Sequence, residues 1–470
     1  MSRNKKNVIL SIILVLMVGL AGIWSVQKVG IKDGATFTLS IILSIFIFVL
    51  SMKDIKKSIY LFIISMPILV TARKLFYLDL FVLKLNFESL IIIYLCIISF
   101  KDIVKKVKSY IDNCKNGMII LKLSVLFIIS TYISCFFADS FRESFELVTT
   151  SVVIPILLLP LFITIFSKED IKYIGYSLIL SVNLSCFYGF AQILGIGLSF
   201  SAIKSSKEYL TFGYHNVNIF VNIALIAYPF LLNEILYKKP NKKEKVFLII
   251  SFFIQSFALF ITFSRGAWLA MALAFVAILF SKKYRVIFTI LVILGILLGN
   301  SLLPIILNRG SSTSEGFLKN TSNSARVLAI LTSGEIMKDN VFGVGYGDFN
   351  ENYRNYVVSA YYEIGKDSRA QMNAPLYTMD HPHNFFLSIG TELGIISMIL
   401  IILIFGERIL KGIKNYSDNR PILVSLAIFI FIGLTTGIEL NHRGVITNTY
   451  LLWILFALIS VNCKKMIEDM

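Results

Sequence analysis

His381-Pro382-His383-Asn384 holds two of the chain's four histidines, and the apolar run FFLSIGTELGIISMILIILIF follows at once. An imidazole at a membrane–water boundary can take a proton near neutral pH, as a general base must. His383 is the candidate for that work. Asn384 is suited to cap the segment that starts at Phe385. Pro382 biases His381 towards extended backbone, which makes His381 the structural partner of the pair. A second candidate is Arg265 in Ser264-Arg265-Gly266-Ala267-Trp268-Leu269-Ala270, between two long apolar runs. Near a helix centre such a charge costs roughly 2.5–3.5 kcal/mol, and snorkelling at the boundary reduces that cost. A guanidinium here suits phosphate oxygens, which it can grip two at a time.

The third candidate is Arg326 in SNSARVLAILTSGEIMKDNVFGVGYGDF. Val327, Ile330, Leu331 and Met337 predict a short amphipathic helix capped by Ser324. Arg326 would then sit in the first turn, where the helix dipole disfavours a cation. Either a specific partner or plain solvation would account for it. Gly343, Gly345 and Gly347 predict a tight turn. A phosphate cradle is the alternative, but no Lys-Ser/Thr pair follows. His215 and Asn218 stand in one further polar cluster, Thr211–Asn218, and Arg443 with His442 in another, Glu439–Arg443. Glu392 would lie about 12 Å down the span that begins after Asn384, where a carboxylate either functions or bonds a neighbouring helix.

The elements that must position these residues follow from composition. The 470 residues are 56% hydrophobic and 16% charged, with mean hydropathy +0.78. Apolar runs of about 17–25 residues bounded by Lys and Arg describe an all-α polytopic membrane protein. Twelve to fourteen spans are expected, the first at 7–26 and retained. The segment 73–84 (RKLFYLDLFVLK) would be interfacial or re-entrant. From a cytoplasmic N-terminus, 27 of the 45 Lys and Arg fall inside, as the positive-inside rule requires. The net charge of +17 is therefore a topology signal with a contribution from anionic lipid, and no nucleic acid is implied. The same topology puts all four histidines, Arg265, Arg326 and Arg443 outside. Residues 1–209 are read as N-terminal spans, 210–400 as the catalytic region with an extracytoplasmic loop at 309–384 containing short helices, and 401–470 as C-terminal spans. None of the five cysteines falls in that loop, and no metal-ligand spacing occurs.

SRGAWLA, the Arg326 helix leading to FGVGYGDF, and HPHNFFLSIGTELGIIS together resemble the O-antigen ligase and polymerase superfamily, over roughly 210–400. His383, Asn384, nine residues, Gly394, two residues and Ser397 follow the ligase pattern, with Ser397 departing conservatively at the last place. Val341 replaces a usual proline, and His215-Asn216-Val217-Asn218 a usual Asn-Pro-Asn. The resemblance implies a bacterial cytoplasmic-membrane glycosyltransferase with its active site facing outwards. Its donor would be a polyprenyl-pyrophosphate-linked glycan and its acceptor a cell-envelope glycan or glycolipid. His383 would be the base, Arg265 and Arg326 would neutralise the leaving pyrophosphate, and His381, Asn384, His215, Asn218, Arg443 and Glu392 would contact substrate. Inversion without metal or cofactor is expected. A polymerase extending the lipid-linked glycan shares this chemistry. Many spans and Glu392 are compatible with a transporter or flippase, which should show related halves and discontinuous helices near the midplane; no internal repeat occurs, and the polar residues cluster at the outer boundary. A metal-dependent glycosyltransferase would lean on Asp33, a lone acid in a short loop.

Overall fold

A computed structural model describes residues 30–72, 76–113, 117–206, 209–214, 216–307, 317–319, 321–372, 378–435 and 446–463. A few side chains inside helices, Arg265 among them, are outside that description. The chain starts with α1 (Ile31–Ser51) and α2 (Ile55–Ala72). A hairpin of β1 (Leu78–Leu80) and β2 (Leu83–Leu85) follows, with Leu78 paired to Leu85. This hairpin occupies the segment expected to be interfacial. Leu78, Leu80 and the tip residue Phe81 are exposed, which suits a wedge at a membrane surface.

Next come α3 (Phe87–Ile98), α4 (Phe100–Asn113), α5 (Gly117–Ser134) and α6 (Phe141–Val148). A π-helical turn at Thr149–Val153 leads on to α7 (Leu158–Ile165). Then follow α8 (Ile171–Ile196), α9 (Phe200–Ser205), α10 (Val217–Tyr237), α11 (Lys242–Ile261), α12 (Arg265–Ile278) and α13 (Arg285–Leu307). The polar loop supplies α14 (Thr321–Asp339) and α15 (Phe349–Glu363), after which come α16 (Phe385–Glu392), α17 (Ile395–Lys414), α18 (Tyr416–Thr435) and α19 (Ile446–Cys463). Among the described residues, seven helices are long and apolar enough to cross a membrane, and three shorter apolar helices accompany them. The protein is an all-α polytopic membrane protein. The expected first span, 7–26, lies outside the described residues.

Side-chain bonds fix which helix ends lie together. The Tyr237 hydroxyl at the end of α10 donates to Ile278 O and meets Ser281 Oγ, both at 2.8 Å, just past the end of α12. The Arg420 guanidinium at the start of α18 lies 3.6 Å from the centre of the Tyr237 ring. Since α18 follows α17 after one residue, α17 also ends there. The beginnings of α10 and α17 therefore lie towards the opposite end of the bundle, about 30 Å away along a twenty-residue helix, and that of the shorter α12 about 20 Å away. The histidines stand inward of that end, because Phe385, which follows them, packs against Phe405 and Phe429 halfway along α17 and α18.

The segment 385–405 was expected to form one continuous span. It is broken instead. Helix α16 stops at Glu392, and Gly394 (φ +91°) starts α17 in a new direction. A break leaves backbone groups without helical partners, and the 341–347 turn takes them up. Val344 N donates to Thr391 O (2.9 Å), Gly345 N to Glu392 O (3.1 Å), and Ile395 N to Val341 O (2.9 Å). Such close backbone approach excludes side chains. A Cβ on Gly343 would lie 2.4 Å from Glu392 O, and one on Gly394 would lie 2.6 Å from the Phe342 carbonyl carbon. The loop has its own small core of Leu328, Ala329, Ile336, Val344, Phe349, Tyr353 and Val357, so it docks as a folded unit.

Gly343→Ala and Gly394→Ala should each lower the thermal unfolding midpoint and expose the loop to protease. Each combines a clash with left-handed backbone, which alone costs an alanine roughly 1–2 kcal/mol. Gly334→Ala, within α14 and with nothing near its Cβ position, should be neutral or slightly stabilising. Equal stability of all three variants in detergent would refute the docking role.

Candidate functional site

Each motif-bearing helix opens with a side-chain cap. Asn216 Oδ1 accepts from Ile219 N at 3.0 Å at the start of α10. Ser264 Oγ accepts from Ala267 N at 3.3 Å at the start of α12. Asn384 Oδ1 accepts from Phe386 N and Leu387 N at 3.0 and 3.1 Å at the start of α16. Three of the four described non-glycine residues with positive φ stand at these junctions: Phe212 (51°), Phe263 (53°) and His383 (54°). Left-handed backbone is costly for such residues and persists where surroundings over-determine it, commonly at functional sites.

The surroundings do so here. Gln192 in α8 accepts from Thr211 N and Phe212 N through Oε1, at 3.1 and 3.0 Å, and donates to Thr211 Oγ1 at 3.1 Å. The Phe212 ring stacks on Phe220 at 4.1 Å and fills the place where a side chain at Gly189 would be. Phe263 packs edge-on against Phe200, and the Trp268 indole donates to Phe260 O at 3.2 Å, closing the α11–α12 corner. Ala267, Ala270 and Ala274 are buried along one face of α12, so the small residues of SRGAWLA serve close helix packing.

His381 Nε2 lies 3.1 Å from His383 Nδ1, with the rings edge to face. Both rings are half-buried. The structure thus brings together the two histidines and the Asn384 cap. Helix α14 packs along α16, and its Met337 sulfur occupies the space that a side chain on Gly390 would need. The ends of the two helices meet there and at the 341–347 turn, which leaves Arg326 towards the opposite end of α14. The sequence reading of α14 needs two corrections. The helix starts at Thr321, so Ser324 is buried inside it and not a cap, and Arg326 is in the second turn, where the dipole conflict is weaker. Its buried face is Leu328, Thr332, Ser333 and Ile336, while Ile330 and Leu331 are exposed.

The glycine turn is no phosphate cradle, because its amides are taken. Beyond the two bonds to α16 carbonyls, Tyr346 N donates to Ser144 Oγ (2.8 Å) and Gly347 N to Glu392 Oε1 (3.1 Å). Gly343, Gly345 and Gly347 all have positive φ, as the tight turn required. Glu392 is accordingly a buried fastening between loop and helix, not a carboxylate far down a continuous span. Ser397 Oγ bonds Ser130 Oγ at 2.8 Å, joining α17 to α5. Asn218 is exposed in the first turn of α10. Tyr346 and Tyr353 fill cores, whereas Tyr362 is exposed beneath Arg369. His215, His442, Arg443 and Tyr377 lie outside the described residues. Sequence reasoning missed Gln192, Ser144 and the Asp139–Asp348 contact. Only Gln192, a polar residue closing an apolar run, left any trace in the pattern.

Asp348 Oδ2 accepts from Asp139 N at 2.9 Å. Burial pushes its carboxyl up to about 6; the Asp139 amide opposes this, and the charges of Asp139, Glu351 and Glu143 add to it.

These features define a helical membrane protein whose helices α10, α12 and α16 open at side-chain caps beside strained residues, with a polar loop docked on α16. The family model described as O-antigen ligase matches residues 250–402, which include Arg265, Arg326, the glycine turn and His383. The O-antigen ligase of Salmonella typhimurium is 25% identical over 387 residues, covering 77% of this chain and 89% of its own. A putative polysaccharide ligase of Rickettsia typhi is 24% identical over 314 residues, and one of Rickettsia prowazekii 25% over 320. Each covers 66% of this chain and 73% of its own length. These similarities support the O-antigen ligase superfamily and indicate an enzyme of the glycosyltransferase type.

Docking of the loop should depend on pH through Asp348. Its carboxyl titrates higher when docked than in an unfolded chain, so the docked state holds an extra proton between about pH 4 and 6. Protection of the Val344–Gly347 amides, corrected for intrinsic exchange, should be greatest at the acid end and fall as pH rises through 6. Asp348→Asn keeps an acceptor for Asp139 N and should flatten that profile. An unchanged profile in Asp348→Asn would assign the dependence elsewhere.

Proposed function

We propose that the chain transfers a glycan from a polyprenyl pyrophosphate to a distinct cell-envelope acceptor on the outer side of the bacterial cytoplasmic membrane. The observation carrying this reading is the His381–His383 pair at the capped start of α16. In a single displacement, an acceptor hydroxyl oxygen attacks the anomeric carbon. The bond from that carbon to the pyrophosphate oxygen breaks, and its electron pair leaves with the pyrophosphate, inverting the centre. The hydroxyl proton goes to His383. When Nδ1–H of His383 donates to His381 Nε2, the lone pair resides on Nε2, so His381 sets tautomer and ring angle. Arg265 and Arg326 neutralise charge developing on the leaving group as fixed donors in a partly dry site. The activated linkage supplies the driving force, and the scheme uses no metal or nucleotide.

The names of the relatives favour a ligase, as does the match from His383 to Gly394. The loop's near-neutral balance of eight acidic and seven basic residues shows no strong field for a highly phosphorylated acceptor. A polymerase is the second reading, because it needs the same chemistry with a second donor as acceptor.

His383→Asn should abolish most transfer, a fall on the order of 10²–10⁴, while the fold survives because asparagine tolerates the left-handed backbone. His381→Ala should be milder. Equal rates for wild type and His383→Asn would remove the base from the mechanism.

Purified protein given lipid-linked oligosaccharide alone should yield no lengthened product, and adding an envelope acceptor should yield transfer. A ladder of lengthened lipid-linked chains without acceptor would make it a polymerase.

A further inference from the structure

The end of the bundle where α10, α12 and α17 finish holds a second constellation. A cavity of about 780 Å³ opens between the ends of α10 and α12 and the starts of α13 and α18. Four cations line it, Lys282, Lys283, Arg285 and Arg420, and no acidic side chain does. The nearest acid in sequence, Asp418, is held 2.6 Å from Lys168 and lines a different cavity.

Arg420 is unlike the other three. It is 8% exposed, and its Nε has no hydrogen-bond partner among the described residues. Its guanidinium lies 3.6 Å above the Tyr237 ring and 5.4 Å from the centre of Tyr416. Stacking holds the fork in place without consuming that donor, which stays inside the wall of the cavity. A basic residue that served only to mark a cytoplasmic loop would need no burial and no aromatic support. Leaving a charged donor buried without an acceptor is costly, and an incoming anion removes that cost.

The other walls specify the kind of anion. Phe280 and Phe288 line the same cavity. Beside it, Val286, Ile287, Ile290 and Ile293 present an exposed apolar face along α13, continuous with the bilayer interior. A polar floor of cations beneath an apolar, membrane-open flank fits a headgroup with its acyl chains. Basic pockets between spans commonly take anionic lipid headgroups. We propose that this cavity is a binding site for the phosphate headgroup of an anionic membrane phospholipid, distinct from the transfer site, none of whose proposed residues lines it.

The test uses the full-length protein purified in neutral detergent and titrated with short-chain phosphatidylglycerol, short-chain phosphatidylcholine or inorganic phosphate. Native mass spectrometry and the thermal unfolding midpoint report binding. Phosphatidylglycerol should bind saturably and raise the midpoint, and the other two should not. Arg420→Gln should weaken phosphatidylglycerol about fivefold or more, at about 1 kcal/mol per cation near the surface. Lys282→Gln with Arg285→Gln, both at exposed positions, should weaken it further than either alone, and serves if Arg420→Gln does not fold. Lys243→Gln, outside the cavity, should leave affinity unchanged. Equal binding of the two lipids, or unchanged affinity in the cavity variants, would overturn the site. Saturable binding of inorganic phosphate that competes with the lipid would make it a site for free phosphate, and would equally defeat the proposal.

Discussion

Everything around α16 depends on one exchange of backbone hydrogen bonds. Within a bilayer, backbone donors and acceptors must be satisfied internally, and a broken helix survives only where protein fills the gap. The gap after Glu392 is filled by Val341–Gly347, whose amides and carbonyl meet Thr391, Glu392 and Ile395. The polar loop is thus the missing partner of a membrane helix and not an appendage to it. Glu392 fits the same account, because its carboxylate completes the row of acceptors by taking Gly347 N. The glycines and the broken helix require each other, because a Cβ at Gly343 or Gly394 would collide with the facing backbone.

The break in turn sets the site. A continuous helix from Phe385 would run straight to the other side with no constraint on its start. Stopping α16 after eight residues and pinning its last turn to the loop fixes the first turn too, where Asn384 and His383 stand. The other two junctions reach rigidity by different means, through the Gln192 clamp around Phe212 and the Phe200–Phe263–Trp268 corner before Arg265. In each case a left-handed residue is held by packing on one side and a helix cap on the other. Transfer chemistry depends on angstrom-scale placement of base and charge, and rigid helix starts supply it better than a free loop would.

Much of this was legible in the residues, and the limits are physical. Composition and run length declared a helical membrane protein, because the bilayer imposes both. Asn384 was readable as a cap and the glycines as a turn, because those roles are local. Helix α14 was misread for the opposite reason. Periodicity weights apolar side chains, but α14 buries Thr332 and Ser333, whose hydroxyls bond back to Leu328 O and Ala329 O, and exposes Ile330 and Leu331. Inside a membrane-associated fold, apolar no longer means inward. The break at Gly394 was hidden because its cause lies some fifty residues upstream. A glycine in an apolar run is ordinary for a membrane helix, and nothing local distinguishes one that a distant turn requires.

The same distinction between local and distant satisfaction separates the two buried arginines at the far end. Arg408 is fully buried, yet it is enclosed by acceptors. Glu407 takes Nε and Nη2, while Ser460 Oγ and Phe456 O take Nη1 at 2.5 and 3.3 Å. That is a guanidinium used as a joint between α17 and α19, and its desolvation is offset within the fold. Arg420, twelve residues on, meets the Tyr416 hydroxyl and the faces of Tyr237 and Tyr416, and its Nε has no acceptor among the described residues. Aromatic faces offer roughly 0.5–2 kcal/mol to a cation, less than the hydrogen bonds that burial removes. A fold that needed Arg420 only as a joint would be expected to supply acceptors, as it does for Arg408. The contrast lies in the partners and not in the depth, and it separates a structural arginine from one whose remaining acceptor comes from outside the chain.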